Sequence, residues 1–591
     1  MEYFMLKFTK VKKDILCYAI LSTALALLVI RCFFGFDPTD ESFYYTIPLR
    51  FLKGDCPIID EWNASQFYSI LLCPIVWLFT VVTGSTQGII LYGRRVYCLI
   101  SLILSIGIFH SFRKRIGCYS ALCCALLYLF CARGNIMGIS YYKLYSCFLT
   151  LALLLYMHFL GDQKSFRPLQ WFIIGLTHGL AALCMPYFVL FILAGSILAI
   201  SKKKIREALS YLCAAMLILI LFLSIIFVRG YGITEIITNF SYMMEDPEHS
   251  VDIFAKTIYT ILELGRQCFA GIPLVLYTFW RILKRRSLNV YWQFFVLISF
   301  ILMAIFGYGL TIPGALYNQT VFLTFPLLFV KDPELKRSSN FRLGQAVYLY
   351  GVISAILFWI GSNTRTSCLV TGFIISQIGA ALMISEIKER YQDAKLINGK
   401  SVCINRVVTY SLSILAVVFV FFAGVVRLTV FYRDARLPKL TSQISQGPAM
   451  GIFTEENKYN DYCAVLEGLE DVKKNSAANS RILVSRKAPW VYLAADLPFG
   501  TCTAWTKPLD NDQQEAYLKI HANRFPDIVI VMHDDVGISV GFDADLNPNA
   551  GNARKGYVWE QIKKRGYTVI EYPAFTAYIN PSAVETTVGI E

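Results

Sequence analysis

Charge is what this chain has least of. Only 16% of its 591 residues are Asp, Glu, Lys or Arg, where soluble globular chains carry about 25%. That shortage excludes a soluble enzyme and a disordered chain, and the composition fits neither a collagen-like nor a heptad-built fibre. Histidine is scarce as well, six in all and scattered, and no CxxC pair or HExxH motif occurs. Transition-metal chemistry therefore has no visible site. Internal repeats and low-complexity tracts are absent too. Cysteine is not scarce, at 17 residues. Most of these, such as Cys118, Cys123, Cys124 and Cys131, lie inside apolar runs, where a thiol is a small hydrophobe and not part of a disulfide framework.

What fills the chain is apolar: 56% of it is hydrophobic and 15% aromatic, with mean hydropathy +0.52. Runs long enough to cross a bilayer recur, and they are unbroken (141–160, for example), whereas a β-barrel shows alternating segments of about ten residues. The fold class is a polytopic α-helical membrane protein. The net charge of +14 does not indicate nucleic acid. Residues 441–591 hold 14 basic and 19 acidic side chains, so an excess of +19 sits in the rest of the chain. There it forms short clusters between apolar runs, the positive-inside pattern.

Lys7, Lys10, Lys12 and Lys13 precede an apolar helix at 14–35, which reads as an uncut anchor with a cytoplasmic N-terminus. Further clusters fall at Arg113–Arg115, Lys164/Arg167, Lys202–Arg206, Lys284–Arg286, Lys331/Lys336/Arg337 and Lys388–Arg406. Placing each in the cytoplasm pairs the remaining runs as hairpins: 92–111, 117–134, 141–160, 169–184, 186–201, 207–228, 268–283, 290–310, 314–330, 344–361, 367–385 and 407–427. That makes about 13 crossings and an extracytoplasmic C-terminus. Pro186 breaks the 169–201 pair. The apolar stretch 66–83 is read as interfacial or re-entrant, within a first external loop at 36–91. The expected division is a membrane domain over 1–430 and an extracytoplasmic α/β domain over 431–591. The latter should hold strands at Arg481–Ser485, Asp527–Met532, Tyr567–Tyr572 and Phe575–Asn580, and helices near 458–474, 512–523 and 556–566. His533-Asp534-Asp535 is read as a turn.

Inside the proposed crossings ionisable residues are nearly absent, unlike the charged mid-depth sites of ion-coupled transporters. Polar groups collect instead at the outer helix ends and external loops. The densest group is Phe36-Asp37-Pro38-Thr39-Asp40-Glu41-Ser42-Phe43-Tyr44-Tyr45, directly after the first crossing. Adjacent carboxylates at a partly dehydrated interface repel, which raises one of them and yields a usable base. The same residues also read as a helix start, with Asp40 the cap of a helix running through Leu52 and Glu41 in its first turn. The two readings are compatible.

The stretch TDESFYYTIPLRFLKGDCPIID, a loop opened by Asp-Glu and followed by Tyr, Arg, Gly and a further Asp, resembles the GT-C glycosyltransferases. Within them it looks most like the protein mannosyltransferase and aminoarabinose transferase group (glycosyltransferase family 39 and its bacterial relatives). The order of the later features also matches: an apolar juxtamembrane stretch, Arg94-Arg95, and a basic turn ending at Gly117. This sequence departs from the group at Asp60-Glu61-Trp62-Asn63, where relatives carry Lys-Pro-Pro or His-Pro-Pro. The sugar and acceptor of those enzymes are accordingly not carried over.

The resemblance implies an enzyme: a glycosyltransferase moving a hexose or pentose from a polyprenyl-phosphate donor to an acceptor hydroxyl, with inversion, at the outer face of the cell membrane. The acceptor would be a protein, a lipid or a polysaccharide. Phosphate is already a good leaving group, so one base and some cations suffice. On that expectation Asp40 is the base, Glu41 tunes it, and Asp60 and Asp37 contact the acceptor or a cation. Arg94 and Arg95 hold the donor phosphate, and Tyr242, Glu245, Asp246 and His249 of the next external loop close over the site. Tyr141-Tyr142-Lys143, at another outer helix end, reads as an aromatic belt with a snorkelling lysine or as part of the cavity. No cofactor is demanded; the carboxylates can accept a divalent cation, but no spacing requires one. A flippase or transporter of lipid-linked saccharides, or a non-catalytic envelope scaffold, is the alternative from another class.

Overall fold

The computed structural model describes residues 2–160, 167–245, 252–284, 290–330, 332–393, 401–505, 512–533, 536–538 and 556–583. Apolar helices dominate up to Thr429. Among the described residues, seven are long and apolar enough to cross a membrane: Lys13–Arg31, Gln66–Thr83, Ile89–Ile116, Tyr141–Leu160, Ile205–Val228, Ser339–Ile360 and Val370–Lys388. Gln66–Thr83, read from sequence as interfacial or re-entrant, meets the same standard of length and hydropathy. Six shorter apolar helices accompany them, Cys118–Phe130, Pro168–Cys184, Pro186–Ser201, Phe295–Phe306, Ala315–Phe329 and Ser413–Thr429. In the segment expected to cross at 268–283, a tight turn at Phe269–Gly271 follows the Ile253–Cys268 helix and leads into the twelve-residue helix Ile272–Leu283.

Length and sequence order give the bundle its two ends. The Ile89–Ile116 helix has 28 residues, about 42 Å at 1.5 Å per residue. Arg94 lies at one end and Arg113–Arg115 at the other. At the Arg94 end the α/β region is docked. Phe453 N donates to Phe33 O and Gly35 N to Phe453 O, while Thr46 and Thr86 hydroxyls donate to the carbonyls of Pro489 and Leu493.

That region begins with a short pair, β1 (Ser442–Gln443) against β2 (Phe453–Thr454). Its main sheet comprises β3 (Ile482–Ser485), β4 (Ile528–Met532), β5 (Thr568–Glu571) and β6 (Phe575–Ile579), in spatial order β3-β4-β6-β5. β3 and β4 are parallel; the other pairs are antiparallel. Every residue of β3 and β6 is buried, which explains why runs such as ILVS read as continuous β-branched and apolar segments and not as alternating ones. The Glu456–Lys474, Asp512–Ile520 and Tyr557–Lys564 helices flank the sheet in sequence.

Candidate active site

The chain turns after Arg31 and enters the Asp40–Leu52 helix. Its cap is not Asp40. Asp37 Oδ1 accepts from Thr39 N (3.0 Å) and Thr39 Oγ1 (2.8 Å), and Oδ2 accepts from Glu41 N (2.9 Å). Asp37 thus binds the orphan amides that a helix start leaves open. Burial, and then the neighbouring Asp40 charge, push its carboxyl up to about 7 against the pull of Arg433. Asp37 therefore braces the helix, and it also lines a narrow cleft with Glu41, Arg94 and Arg31.

With the cap supplied by Asp37, Asp40 is directed elsewhere. Its Oδ2 accepts from Tyr432 Oη at 2.9 Å and lies 3.6 Å from Arg433 Nη1, and its Oδ1 lies 3.6 Å from Arg133 Nη1. The side chain is 16% exposed. It faces neither bulk solvent nor a closed core.

Glu41 is held differently. Arg94 donates to it through Nε (2.7 Å) and Nη2 (2.6 Å) as a buried fork, and the remaining Arg94 protons go to the carbonyls of Cys32, Phe34 and Gly35. All five donors of the guanidinium are used. Arg94 is therefore a structural partner of Glu41 with nothing left for a phosphate. Arg95 is exposed, with its guanidinium 5.6 Å from the Phe33 ring centre. Helical geometry sends the two adjacent side chains to different faces, so Arg94 and Arg95 do not converge on one site.

Two other cations stand where those were expected. Arg133 lies over the Tyr142 ring at 4.6 Å, and its Nε has no hydrogen-bond partner. Lys143, buried at the start of the Tyr141–Leu160 helix, places its ammonium over Tyr97 (4.6 Å) and Tyr128 (4.8 Å). Both line one small cavity with Ser140, Tyr142 and Ser146. Deeper in, Arg31 donates to the carbonyls of Phe34, Arg427 and Val430, and Arg427 donates to Asn135. Arg94 is thus paired with Glu41, and Arg133 and Arg433 flank Asp40, whereas Arg31, Arg427 and Lys143 pair with no carboxylate among the described residues.

Beside Arg133, an aromatic wall runs through Tyr142, Tyr141, Tyr44 and Tyr68. The hydroxyls of Tyr44 and Tyr68 are buried without a partner. Tyr141 also lines a cavity of about 480 Å³, walled by Phe67, Pro186, Tyr187, Met243 and Lys256 among others. Lys256 itself is committed, donating to Trp359 O at 2.5 Å and to Ile360 O.

Asp60 belongs to a separate network. It accepts from Cys56 N (2.6 Å) and pairs with Arg524 (3.1 Å). The fully buried Arg50 binds Asp55 (2.6 Å), Glu61 (2.9 Å) and the Thr501 carbonyl. Burial and Asp55 raise Asp60, whereas Arg50 and Arg524 hold Asp55 low in spite of its burial. Asp60 fastens the first loop to the α/β region and presents no carboxylate to the cavities around Asp40. Tyr242 stacks on Trp62 at 5.2 Å, and Glu245 is exposed. Asp246 and His249 lie outside the described residues, as do Asp534 and Asp535. Among the described residues no group of three or more His, Cys, Asp or Glu is arranged to hold a metal ion.

Sequence reading missed Tyr432 and Arg433, which approach Asp40 across almost four hundred residues of chain, and it left Lys143 between an aromatic belt and the cavity. The one available signal was the density of arginines in RLTVFYRDAR, after the last apolar run.

No protein-family model matches the chain, and no curated protein sequence matches it. Solved structures do. ArnT from Cupriavidus metallidurans in the apo state is 11% identical, with 97% of this chain and 98% of that chain covered and a TM-score of 0.49. The same protein bound to undecaprenyl phosphate is 12% identical, with 98% and 99% covered and a TM-score of 0.48. The archaeal oligosaccharyltransferase AglB from Archaeoglobus fulgidus, in complex with an inhibitory peptide and a dolichol-phosphate, is 11% identical, with 98% and 75% covered and a TM-score of 0.45. Each is a likeness at low identity, with a TM-score below 0.5.

Proposed function

We propose that this protein is a membrane glycosyltransferase that moves a sugar from a polyprenyl-phosphate donor to an acceptor hydroxyl, with Asp40 as the base. The observation that carries the reading is the setting of Asp40. It is a partly exposed carboxylate, beside a cavity into which Arg133 and Lys143 bring positive charge that no carboxylate fully neutralises. In the reaction, the acceptor O–H proton passes to Asp40 and the acceptor oxygen bonds to the anomeric carbon. The bond from that carbon to the phosphate oxygen breaks, and polyprenyl phosphate leaves with the electron pair, stabilised by Arg133 and Lys143 in the roles first assigned to Arg94 and Arg95. Attack from the face opposite the phosphate inverts the anomeric centre. Tyr44 and Tyr68 supply unspent hydroxyls for the sugar, and the 480 Å³ cavity takes the first isoprene units. The Arg94 end of the bundle, with its α/β region, then faces the extracytoplasmic side, and the N-terminus is cytoplasmic.

The test is transfer by the purified full chain in nanodiscs, using a panel of polyprenyl-phosphate hexoses and pentoses with product detection by mass spectrometry. At least one donor should be consumed, and Arg133→Gln and Lys143→Gln should each slow its turnover by about 10²-fold, as for loss of one transition-state donor. Failure with every donor of the panel overturns the proposal.

A further inference from the structure

A third cavity, of about 630 Å³, opens at the opposite end of the bundle. Its position follows from the Ile205–Val228 helix. Arg229, after the last turn, donates to the carbonyls of Gly54 and Phe51 in the first loop, whereas Lys202 and Lys204, before the first turn, line this cavity. It is therefore distinct from everything around Asp40.

Its chemistry changes with depth. The rim carries Lys202, Lys204, Glu207, Tyr156 and Trp171, the mixture of lysine and amphipathic aromatics that sits at a membrane–water interface. Lys202 and Lys204 pair with no carboxylate among the described residues. About 10 Å further in, two turns along their helices, are His178 and Tyr211. Tyr211 Oη lies 2.6 Å from His178 Nδ1, and Tyr350 Oη lies 2.8 Å from His178 Nε2. Both ring nitrogens are spent on tyrosines, so the floor leaves neither of them to a polar ligand. The wall between is apolar, formed by Leu153, Ile174, Phe191 and Val347 among others. A ligand that fits has an anionic head at the rim and an apolar tail below it.

We infer that this cavity binds an anionic membrane phospholipid, its headgroup on Lys202 and Lys204 and an acyl chain along the Val189–Ser201 helix. Charge complementarity selects the head: a basic segment at the membrane surface gains about fivefold per lysine with anionic lipid, and so about thirtyfold for the pair. Gly195, on the cavity wall, provides a clean way to close the site. A Cβ built there meets nothing within 4 Å, so a larger side chain can start from the cavity wall, and losing a mid-helix glycine favours the helix.

The experiment uses the purified full chain in nanodiscs doped with dibrominated phosphatidylglycerol or dibrominated phosphatidylcholine, and reads quenching of Trp171 as the difference between wild type and Trp171→Phe. Half-maximal quenching should need about thirtyfold less of the glycerol lipid. Lys202→Gln/Lys204→Gln should erase that preference, and Gly195→Phe should abolish the Trp171 quenching by either lipid while the protein elutes as wild type does. Equal quenching by the two lipids, quenching that survives Gly195→Phe, or displacement of the phospholipid by equimolar unlabelled polyprenyl phosphate would each overturn the inference.

Discussion

One peptide bond separates Asp40 from Glu41, and their surroundings have little in common. Glu41 is sealed in a fork with Arg94, both side chains 3% exposed or less. Removing one partner of such a pair leaves the other charge buried and uncompensated, typically a loss of about 3–5 kcal/mol. Glu41→Gln should therefore lower thermal stability sharply, as read by the unfolding midpoint in detergent, whatever its effect on transfer. An unchanged midpoint would contradict the structural role. Asp37 predicts a pH signature instead. Its carboxyl is raised from 3.8 to about 7, so between those values the folded protein keeps a proton that the unfolded chain has released. Stability then falls as pH rises through that window and levels off above about 7. Asp37→Asn lacks this slope. The midpoint of wild type minus that of the variant should decline from pH 4 to pH 7 and then stay flat. A difference independent of pH would show that Asp37 is not raised.

The elements meet through contacts that tolerate little. The Asp40–Leu52 and Ile89–Ile116 helices approach where Tyr45 lies against Gly93; a Cβ on Gly93 would come within 2.0 Å of the Tyr45 hydroxyl. Since both Arg94 and the Asp40 segment hang on this contact, Gly93→Ala should push the helices apart and cost activity and stability together. Adding Tyr45→Leu should recover stability, giving a double mutant less damaged than Gly93→Ala alone. If the two effects simply add, the contact is not what holds the pair. Elements of this kind were legible before the structure was known. Long apolar runs and short β-branched segments announce themselves because burial in lipid or in a sheet core acts on many consecutive residues at once. β3, β4, β5 and β6 fall within a residue or two of the strands read from the sequence for that reason. Single polar residues are different. Whether Arg94 or Arg133 reaches a ligand depends on which helix face each occupies and on what lies opposite, and nothing in RRVYC distinguishes a spent arginine from a free one.

At the scale of the molecule, the account requires the first loop, the helix ends and the α/β region to act as one body. The Arg50–Asp55–Glu61 cluster reaches Thr501, and Asp40 is held by residues that follow the last apolar helix. The candidate base is thus fixed by both ends of the chain, and this is why a loop motif alone could point to Asp40 while missing Tyr432 and Arg433. Asp40 is also the residue whose loss separates chemistry from architecture, since its carboxylate caps no helix and sits in no sealed ion pair. The most direct test is the rate of sugar transfer from a saturating polyprenyl-phosphate donor by Asp40→Asn, measured beside wild type with donor binding and unfolding midpoint determined on the same samples. The account predicts a turnover lower by about 10²–10⁴-fold with binding and folding retained; turnover within a few fold of wild type would contradict it.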